Sequence, residues 1–257
     1  MLLIDRWLLV VLAGALGAAV GSFLNVIILR TRLGESSVRG RSRCPHCGRD
    51  LSWLELIPVA SFAWLRGRCR HCRKHISWQY PIVEGLTAAA FIGVVLAQPL
   101  TLLTLLSWIV ASCLLIIAVY DFRWALLPDG FTLSLAIVGL VSALVGGLPP
   151  LEVLLGGLAG AGFFGLQYVL SKKRWVGSGD ILLGGALGLL LGWRMLGLAL
   201  FLAYFIGALV ASVLLLLKRQ HASASIPFGP YLAIGGYLAW VWGTAIMNWY
   251  ALHVYFY

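Results

Sequence analysis

Long stretches without a charged residue constrain the fold of this 257-residue chain more than any other feature. No Asp, Glu, Lys or Arg occurs from Trp7 to Leu29, or from Gly85 to Tyr120. A run of about 18 or more apolar residues is long enough to cross the hydrocarbon core of a bilayer as a helix. One such run fits a buried helix of a soluble protein, but seven or eight do not. The sequence therefore predicts an all-α polytopic membrane protein.

The first apolar run differs from a secretory signal peptide. A signal peptide has an apolar stretch of about 7–15 residues followed by a cleavage site of small residues. Here the stretch is longer, and an arginine-rich polar segment follows it. We interpret residues 1–30 as a retained first transmembrane helix.

About eight transmembrane helices are predicted from the apolar runs and the residues that interrupt them. The run after residue 85 is too long for one crossing, so Gln98-Pro99 is expected to break it. Ile181 to Trp193 is only 13 residues long, so the helix there is expected either to extend by snorkelling of Arg194 or to be partial or broken. The predicted helices cover residues 7–29, 81 to the break, the break to 120, 129–146, 150–170, 181–193, 195–217 and 228–250.

The basic residues lie almost entirely on one predicted side of the membrane. The formal net charge of +10 would also suit nucleic-acid binding. In the eight-helix topology, however, seventeen of the nineteen Lys and Arg residues share a side with the polar insert 31–80, and only Arg6 and Arg194 do not. Cytoplasmic loops carry such an excess of Lys and Arg. The pattern predicts contact with membrane lipid, no nucleic-acid partner, and an amino terminus outside the cytoplasm.

Four of the five cysteines form two close pairs within the insert 31–80. Two CxxC turns present four thiolates to one tetrahedral ion, and their separation of 21 residues is close to that of a zinc ribbon. Because disulfides are rare in the cytoplasm, a structural Zn²⁺ is preferred to two disulfides. Cys113 lies in an apolar run and is expected to serve packing. The predicted ligands are Cys44, Cys47, Cys69 and Cys72, with His46, His71 and His75 as alternatives.

Two of the nine acidic residues border apolar runs on the predicted cytoplasmic side. Asp121 directly follows the third predicted helix, and Asp180 directly precedes the sixth. Ionisable groups near lipid are costly, so a functional role is their default interpretation. When two carboxyls lie close together, one stays protonated, so the ionised partner can activate water while the protonated one donates to a carbonyl. The pair predicts peptide hydrolysis without a covalent intermediate.

Purely structural roles are an alternative explanation for these acidic residues. Asp180 follows Gly177-Ser178-Gly179 and could cap the sixth helix, and Asp129 is similarly placed before the fourth. Asp121 could pair with Arg123. The two glycines before Asp180 favour the catalytic interpretation, because they let backbone or substrate approach the acid closely.

The segments around these acids resemble motifs of bacterial prepilin peptidases, the leader peptidases of type IV pilins and type II secretion pseudopilins. Residues 120–129 resemble the first aspartate motif, and Gly177-Ser178-Gly179-Asp180 resembles the second, which GxGD-type intramembrane proteases share. The ordered set is more specific than any one motif, and it extends from residue 21 to 230. The other matching segments are 21–26, 44–47, 69–72, 80–84 and 226–230.

The resemblance implies that Asp121 and Asp180 are catalytic and that Asp129, Gly177 and Gly179 support them. It implies a bacterial inner-membrane enzyme with a periplasmic amino terminus, whose cytoplasmic active site cleaves the basic leader of prepilins or pseudopilins after its terminal glycine. It also implies N-methylation of the new amino terminus with S-adenosylmethionine. One departure is visible: Leu182 stands where the family commonly has lysine, which puts any role of that lysine in doubt.

No methyl-donor fingerprint is recognisable in the sequence. No glycine-rich loop of the Rossmann kind is present, and the glycines at 156–162 lie inside the fifth predicted helix, where they favour helix packing. Asn25 and Glu84, at the borders of the insert, are the remaining candidates for binding S-adenosylmethionine. The peptidase core is assigned to residues 81–257.

Two other functions suit parts of the same sequence. A general GxGD-type protease would cut transmembrane substrates with an aspartate pair buried in its helices. A transporter or assembly scaffold would also combine glycine-rich helices, membrane acids and a metal-bound loop. The oligomeric state and the identity of the pilin are not predicted.

Overall fold

The computed structural model describes residues 2–36, 40–217 and 227–255, which form two compact units, Met1–Pro99 and Leu100–Tyr257. The described residues contain helices and no strand, apart from two isolated β-bridges in the insert. Arg39, Lys218, Arg219 and Ile226, which the sequence predictions include, lie outside the described residues. The helices of the first unit are α1 (Leu2–Leu33), a 3₁₀ helix (Trp53–Leu56), α2 (Ala60–Trp64) and α3 (Gln79–Ala97). Those of the second are α4 (Leu102–Trp124), α5 (Asp129–Val145), α6 (Pro150–Leu170), α7 (Ser178–Leu216) and α8 (Gly229–Tyr255).

Five described helices are long and apolar enough to cross a membrane, and α5 is a shorter apolar helix. They confirm the all-α polytopic fold class. The number of crossings and their orientation stay predictions. The five helices are Arg6–Leu33, Gln79–Ala97, Leu102–Trp124, Pro150–Leu170 and Ser178–Leu216.

Helix α7 is broken at Gly192, whose backbone leaves the helical region with φ 67° and ψ 170°. The chain turns back there. Two adjacent glycines of α8 contact the two parts of α7. A methyl group at Gly235 would lie 2.9 Å from the backbone nitrogen of Ala203, and a methyl group at Gly236 would lie 3.5 Å from Cδ1 of Leu187. In a straight helix, residues 187 and 203 would be about 24 Å apart. The break lies where the predicted sixth helix, 181–193, meets the predicted seventh, so the two predicted helices are the two parts of α7, and residues 193–216 run back beside the first part.

In the first unit, α1 and α3 pack through small residues. A methyl group at Gly17 would lie 2.8 Å from the carbonyl oxygen of Thr87, and one at Gly21 would lie 2.7 Å from Cα of Glu84. Without side chains at these positions the two backbones come into contact. Helix α3 thus packs on α1, although the predicted domain boundary at residue 81 assigns most of α3 to the peptidase core. The division into functional domains at 1–30, 31–80 and 81–257 stays a prediction.

In the second unit, glycines of α6 lie directly on the first part of α7. A methyl group at Gly156 would lie 2.8 Å from Cα of Gly192, and the ring of Phe164 packs on Gly184. Among the glycines at 156–162, Gly156, Gly157 and Gly160 contact α7, as the packing prediction requires, whereas a methyl group at Gly162 would meet no atom within 4 Å. The contacts also hold the amino-terminal end of α7, and hence Asp180, against α6.

Candidate active site and metal centre

Asp121 lies in the last turn of α4 and is buried. Its Oδ2 atom accepts a hydrogen bond of 2.8 Å from the backbone N–H of Gly229, 108 residues further along the chain. Gly229 is the first residue of α8, so one of the unpaired N–H groups of a helix amino terminus is satisfied by the carboxylate. The segment 226–230 was predicted only as a family motif, because no local pattern in the sequence links it to Asp121.

Asp180 is the third residue of α7 and is also buried. Its Oδ2 atom accepts a hydrogen bond of 2.8 Å from the backbone N–H of Gly177, which precedes the helix. The capping interpretation of Asp180 is therefore confirmed. Capping and catalysis are compatible, because an ionised carboxylate has two oxygens and about four acceptor positions.

The structure brings the segments that carry the two aspartates into contact. A methyl group at Gly179, next to Asp180, would lie 2.7 Å from Cβ of Leu127, in the loop after Asp121. Glycine at 179 therefore leaves space for the side chain of Leu127. Two buried carboxyls on contacting segments suit acid–base chemistry on one substrate.

The other predicted residues of the site occupy its border. Gly177 supplies the N–H group that orients Asp180. Asp129 is the exposed first residue of α5, where the helix dipole favours an acid. The guanidinium of Arg123 lies over the ring of Trp124, 5.1 Å from its centroid, while Asp121 bonds to Gly229. The catalytic and supporting roles of these residues stay predictions.

Asn25 and Glu84 belong to a buried polar cluster of the first unit. The Asn25 amide donates to the carbonyl oxygen of Tyr80 at 3.2 Å and accepts from Gln79 at 3.1 Å. Glu84 accepts a hydrogen bond of 2.7 Å from the N–H of Val59 in the insert. The two side chains thus connect α1, α3 and the insert, and any bound cofactor would share them with these partners.

The four paired cysteines form one cluster in the insert. Their sulfur atoms all lie within 4.8 Å of one another, and Sγ of Cys44 lies 3.9 Å from Sγ of Cys72. Four thiolates at about 2.3 Å from a tetrahedral zinc ion would be about 3.8 Å apart, so the cluster fits Zn²⁺. Backbone N–H groups of Cys72 and His71 directed at its sulfur lower the pKa of Cys69 to about 7, whereas the backbone N–H of Lys74 is outweighed by burial and the neighbouring thiols, which raise the pKa of Cys72 to about 11. Cys69 is therefore the thiol of this pair that more readily forms the thiolate that binds metal. The metal-ligating potential predicted for these cysteines is confirmed, whereas the identity of the metal stays a prediction.

The two cysteine turns are copies of one structure. In each, the N–H of the first cysteine donates to the carbonyl oxygen five residues later, at 2.9 Å for both Cys44 and Cys69. Each turn closes with a β-bridge, and the residue after the second cysteine has a left-handed backbone, with φ 69° at Gly48 and φ 60° at Arg73. The repeat is visible in the sequence as Arg-Cys-x-His-Cys at 43–47 and 68–72, but our sequence interpretation did not use it.

Replacing Arg73 with glycine is expected to stabilise the second turn by about 0.5–1 kcal/mol, because glycine adopts the left-handed backbone without a Cβ clash. The resistance of the insert to limited proteolysis in urea measures the change. Arg73→Ala removes the same charge but keeps Cβ, and it should give no gain. Equal stabilisation by both variants would show that charge, rather than backbone strain, is responsible.

Removing the metal ligands is expected to unfold the insert, since so small a unit has little apolar core. We expect about one zinc per purified chain, and its loss in the double variant Cys44→Ser/Cys72→Ser, with rapid proteolysis between α1 and α3. Cys113→Ala should keep the zinc. Protein purified without chelator that contains no zinc would contradict the assignment.

Two family models match the chain. The Bacterial Peptidase A24 N-terminal domain matches residues 15–98, and the Type IV leader peptidase family matches residues 108–212, which include both buried aspartates. No solved structure matches the chain.

Curated proteins named prepilin leader peptidase/N-methyltransferase are similar to nearly the whole chain. The protein from Aeromonas hydrophila is 37% identical over 273 residues, covering 95% of this chain and 94% of its own length. The one from Bacillus subtilis (strain 168) is 34% identical and covers 91% and 94%. The one from Legionella pneumophila is 31% identical and covers 95% of both. As the sequence motifs predicted, the chain belongs to the type IV leader peptidase family and is an enzyme of that family.

Proposed function

We propose that this chain cleaves the basic leader of prepilins and pseudopilins after its terminal glycine, at the cytoplasmic face of the bacterial inner membrane, with Asp121 and Asp180 as its catalytic pair. One observation carries the proposal: two buried carboxyls from different helices lie on contacting segments, and each is oriented through Oδ2 by a glycine N–H at 2.8 Å. The relatives that share a third of the sequence support the substrate class through their names.

The chemistry follows from two carboxyls that share one proton. The ionised carboxylate takes a proton from water, and the resulting hydroxide attacks the carbonyl carbon of the scissile bond, while the protonated carboxyl donates to the carbonyl oxygen. The tetrahedral diol then breaks its C–N bond: the leaving nitrogen receives the proton taken from water, and one hydroxyl of the diol returns its proton to the carboxylate that had donated it, so the pair again shares one proton. The fixed N–H groups of Gly177 and Gly229 keep the carboxyls oriented during these steps.

Cleavage of a purified substrate tests the proposal. The chain in detergent is incubated with a full-length prepilin, and mass spectrometry identifies the product. We expect a cut after the leader glycine and no cut in a transmembrane peptide that lacks a leader. Cutting the transmembrane peptide instead would favour a general intramembrane protease. No cutting of either substrate would favour a transporter or scaffold.

A second proposed activity is N-methylation of the new amino terminus, which the names of the relatives support. S-adenosylmethionine would supply the methyl group, and the polar cluster of Asn25 and Glu84 is the candidate region that shapes its site. Methylation of a peptide that is already cleaved can be measured separately from cleavage. Asn25→Ala and Glu84→Gln should lower methylation more than leader cleavage, and normal methylation in both variants would exclude this cluster.

A further inference from the structure

A pair of polar side chains lies between α6 and the second part of α7. Gln167 is in the last turn of α6, and the hydroxyl of Tyr204 donates to its Oε1 atom at 3.1 Å. Polar side chains inside membrane segments are costly to bury, so a pair of this kind needs a functional or packing reason.

The amide of Gln167 has unused hydrogen-bonding capacity. Its Nε2 atom is the only buried side-chain nitrogen or oxygen without a partner among the residues that the structure describes. Exchanging the oxygen and nitrogen positions of the Gln167 amide does not give both atoms a partner. Nε2 would then donate to Tyr204, and Oε1 would be left without a hydrogen bond. In either orientation, one amide atom remains available for a ligand.

The pair is connected by packing to the backbone segment that orients Asp121. The ring of Tyr204 packs on Phe228, with centroids 4.7 Å apart, and Phe228 directly precedes the glycine that orients Asp121. Gln167 and Tyr204 therefore border the place where a scissile bond must lie.

We infer that Gln167 binds the backbone of the substrate peptide beside the scissile bond and that Tyr204 positions its amide. The inference rests on the proposed leader cleavage. An extended peptide offers a carbonyl and an N–H at every residue, and a primary amide is complementary to either. Binding the peptide would satisfy the one unpartnered buried atom, and leaving that atom unpaired is unfavourable. Gln167 as a residue is only half-buried, so a peptide at its exposed side can reach the amide after a small change of the Gln167 rotamer.

Kinetics of leader cleavage test the role of each side chain. Gln167→Met preserves the length of the side chain without its amide, and it should lower kcat/KM by roughly 10- to 100-fold, mainly by raising KM. Tyr204→Phe keeps the ring contact with Phe228, and it should cause a smaller loss. Tyr250→Phe, at an exposed tyrosine near the other end of α8, is the matched control and should not change the kinetics.

A scan of the substrate backbone separates peptide binding from a packing role. In peptides that each lack one carbonyl near the scissile bond, or carry one ester in place of an amide, the wild-type chain should lose activity at one particular position. Gln167→Met should show no additional loss at that position, and Tyr204→Phe should show a reduced one. Equal losses in wild type and Gln167→Met at every position would overturn the inference. If the wild-type chain does not cut the unmodified peptide, the proposed function itself is wrong.

Discussion

Replacing Asp121 or Asp180 with asparagine is expected to lower the rate of leader cleavage by about 10³- to 10⁴-fold. Asparagine is nearly the same size, and its carbonyl oxygen can still accept the N–H of Gly229 or Gly177. It cannot remove a proton from water or donate one as a carboxylic acid does. The local fold is therefore preserved while the acid–base pair is lost. Single-turnover cleavage of a prepilin by purified variants measures the effect.

The double variant distinguishes a working pair from two independent contributions. Residues that act as a unit are strongly non-additive, so Asp121→Asn combined with Asp180→Asn should be little worse than either alone. Asp50→Asn is the matched control, because Asp50 is an acid of the insert that pairs with Arg43 at 2.9 Å. Cleavage at the wild-type rate by either single variant would reject the aspartate pair.

Gly229→Ala is expected to lower cleavage by about 100-fold although alanine adds only one methyl group. That methyl group would lie 2.7 Å from Oδ2 and 3.0 Å from Cγ of Asp121. Both distances are shorter than van der Waals contact, so the carboxyl has to move and its hydrogen bond to the Gly229 N–H is strained. A displacement of about 1 Å in a catalytic group is enough for an effect of this size.

A substitution at a second glycine distinguishes an effect specific to position 229 from a general effect of replacing a helix glycine with alanine. A methyl group at Gly162, in α6, would have no atom within 4 Å, so Gly162→Ala should leave cleavage unchanged. Methylation of a peptide that is already cleaved, and the zinc content, should be normal in Gly229→Ala, since both are assigned to the first unit. Full cleavage activity of Gly229→Ala would show that the contact between Gly229 and Asp121 is not needed for catalysis.

Local properties of the sequence were sufficient to predict the elements. In a bilayer, every backbone polar group must be satisfied internally, so a long apolar run can only become a helix. The predicted boundary between the sixth and seventh helices, after Trp193, lies close to the break at Gly192. The metal cluster was predictable because each CxxC turn brings two thiolates together by itself.

Contacts between distant segments were not predictable in this way. The bond from Gly229 to Asp121 joins residues 108 positions apart, and the pair of Tyr204 and Gln167 joins residues 37 positions apart. Neither contact has a signature in composition or periodicity. Family motifs indicated that the segment around Gly229 matters, but they did not indicate that its backbone holds a carboxyl.

The capping of Asp180 shows how a local and a functional interpretation can both apply. The sequence offered them as alternatives, whereas in the structure the Asp180 carboxyl binds the N–H group before α7 while its segment contacts the segment of Asp121. By itself, the sequence determined the membrane helices, the cysteine cluster and the two acids, because each depends on residues that are close in the chain. Only the tertiary structure decided that Gly229 orients Asp121, that Leu127 packs on Gly179, and that the amide of Gln167 has an atom without a partner. These features depend on how helices pack, and packing is set by the fit of many residues from separate parts of the chain.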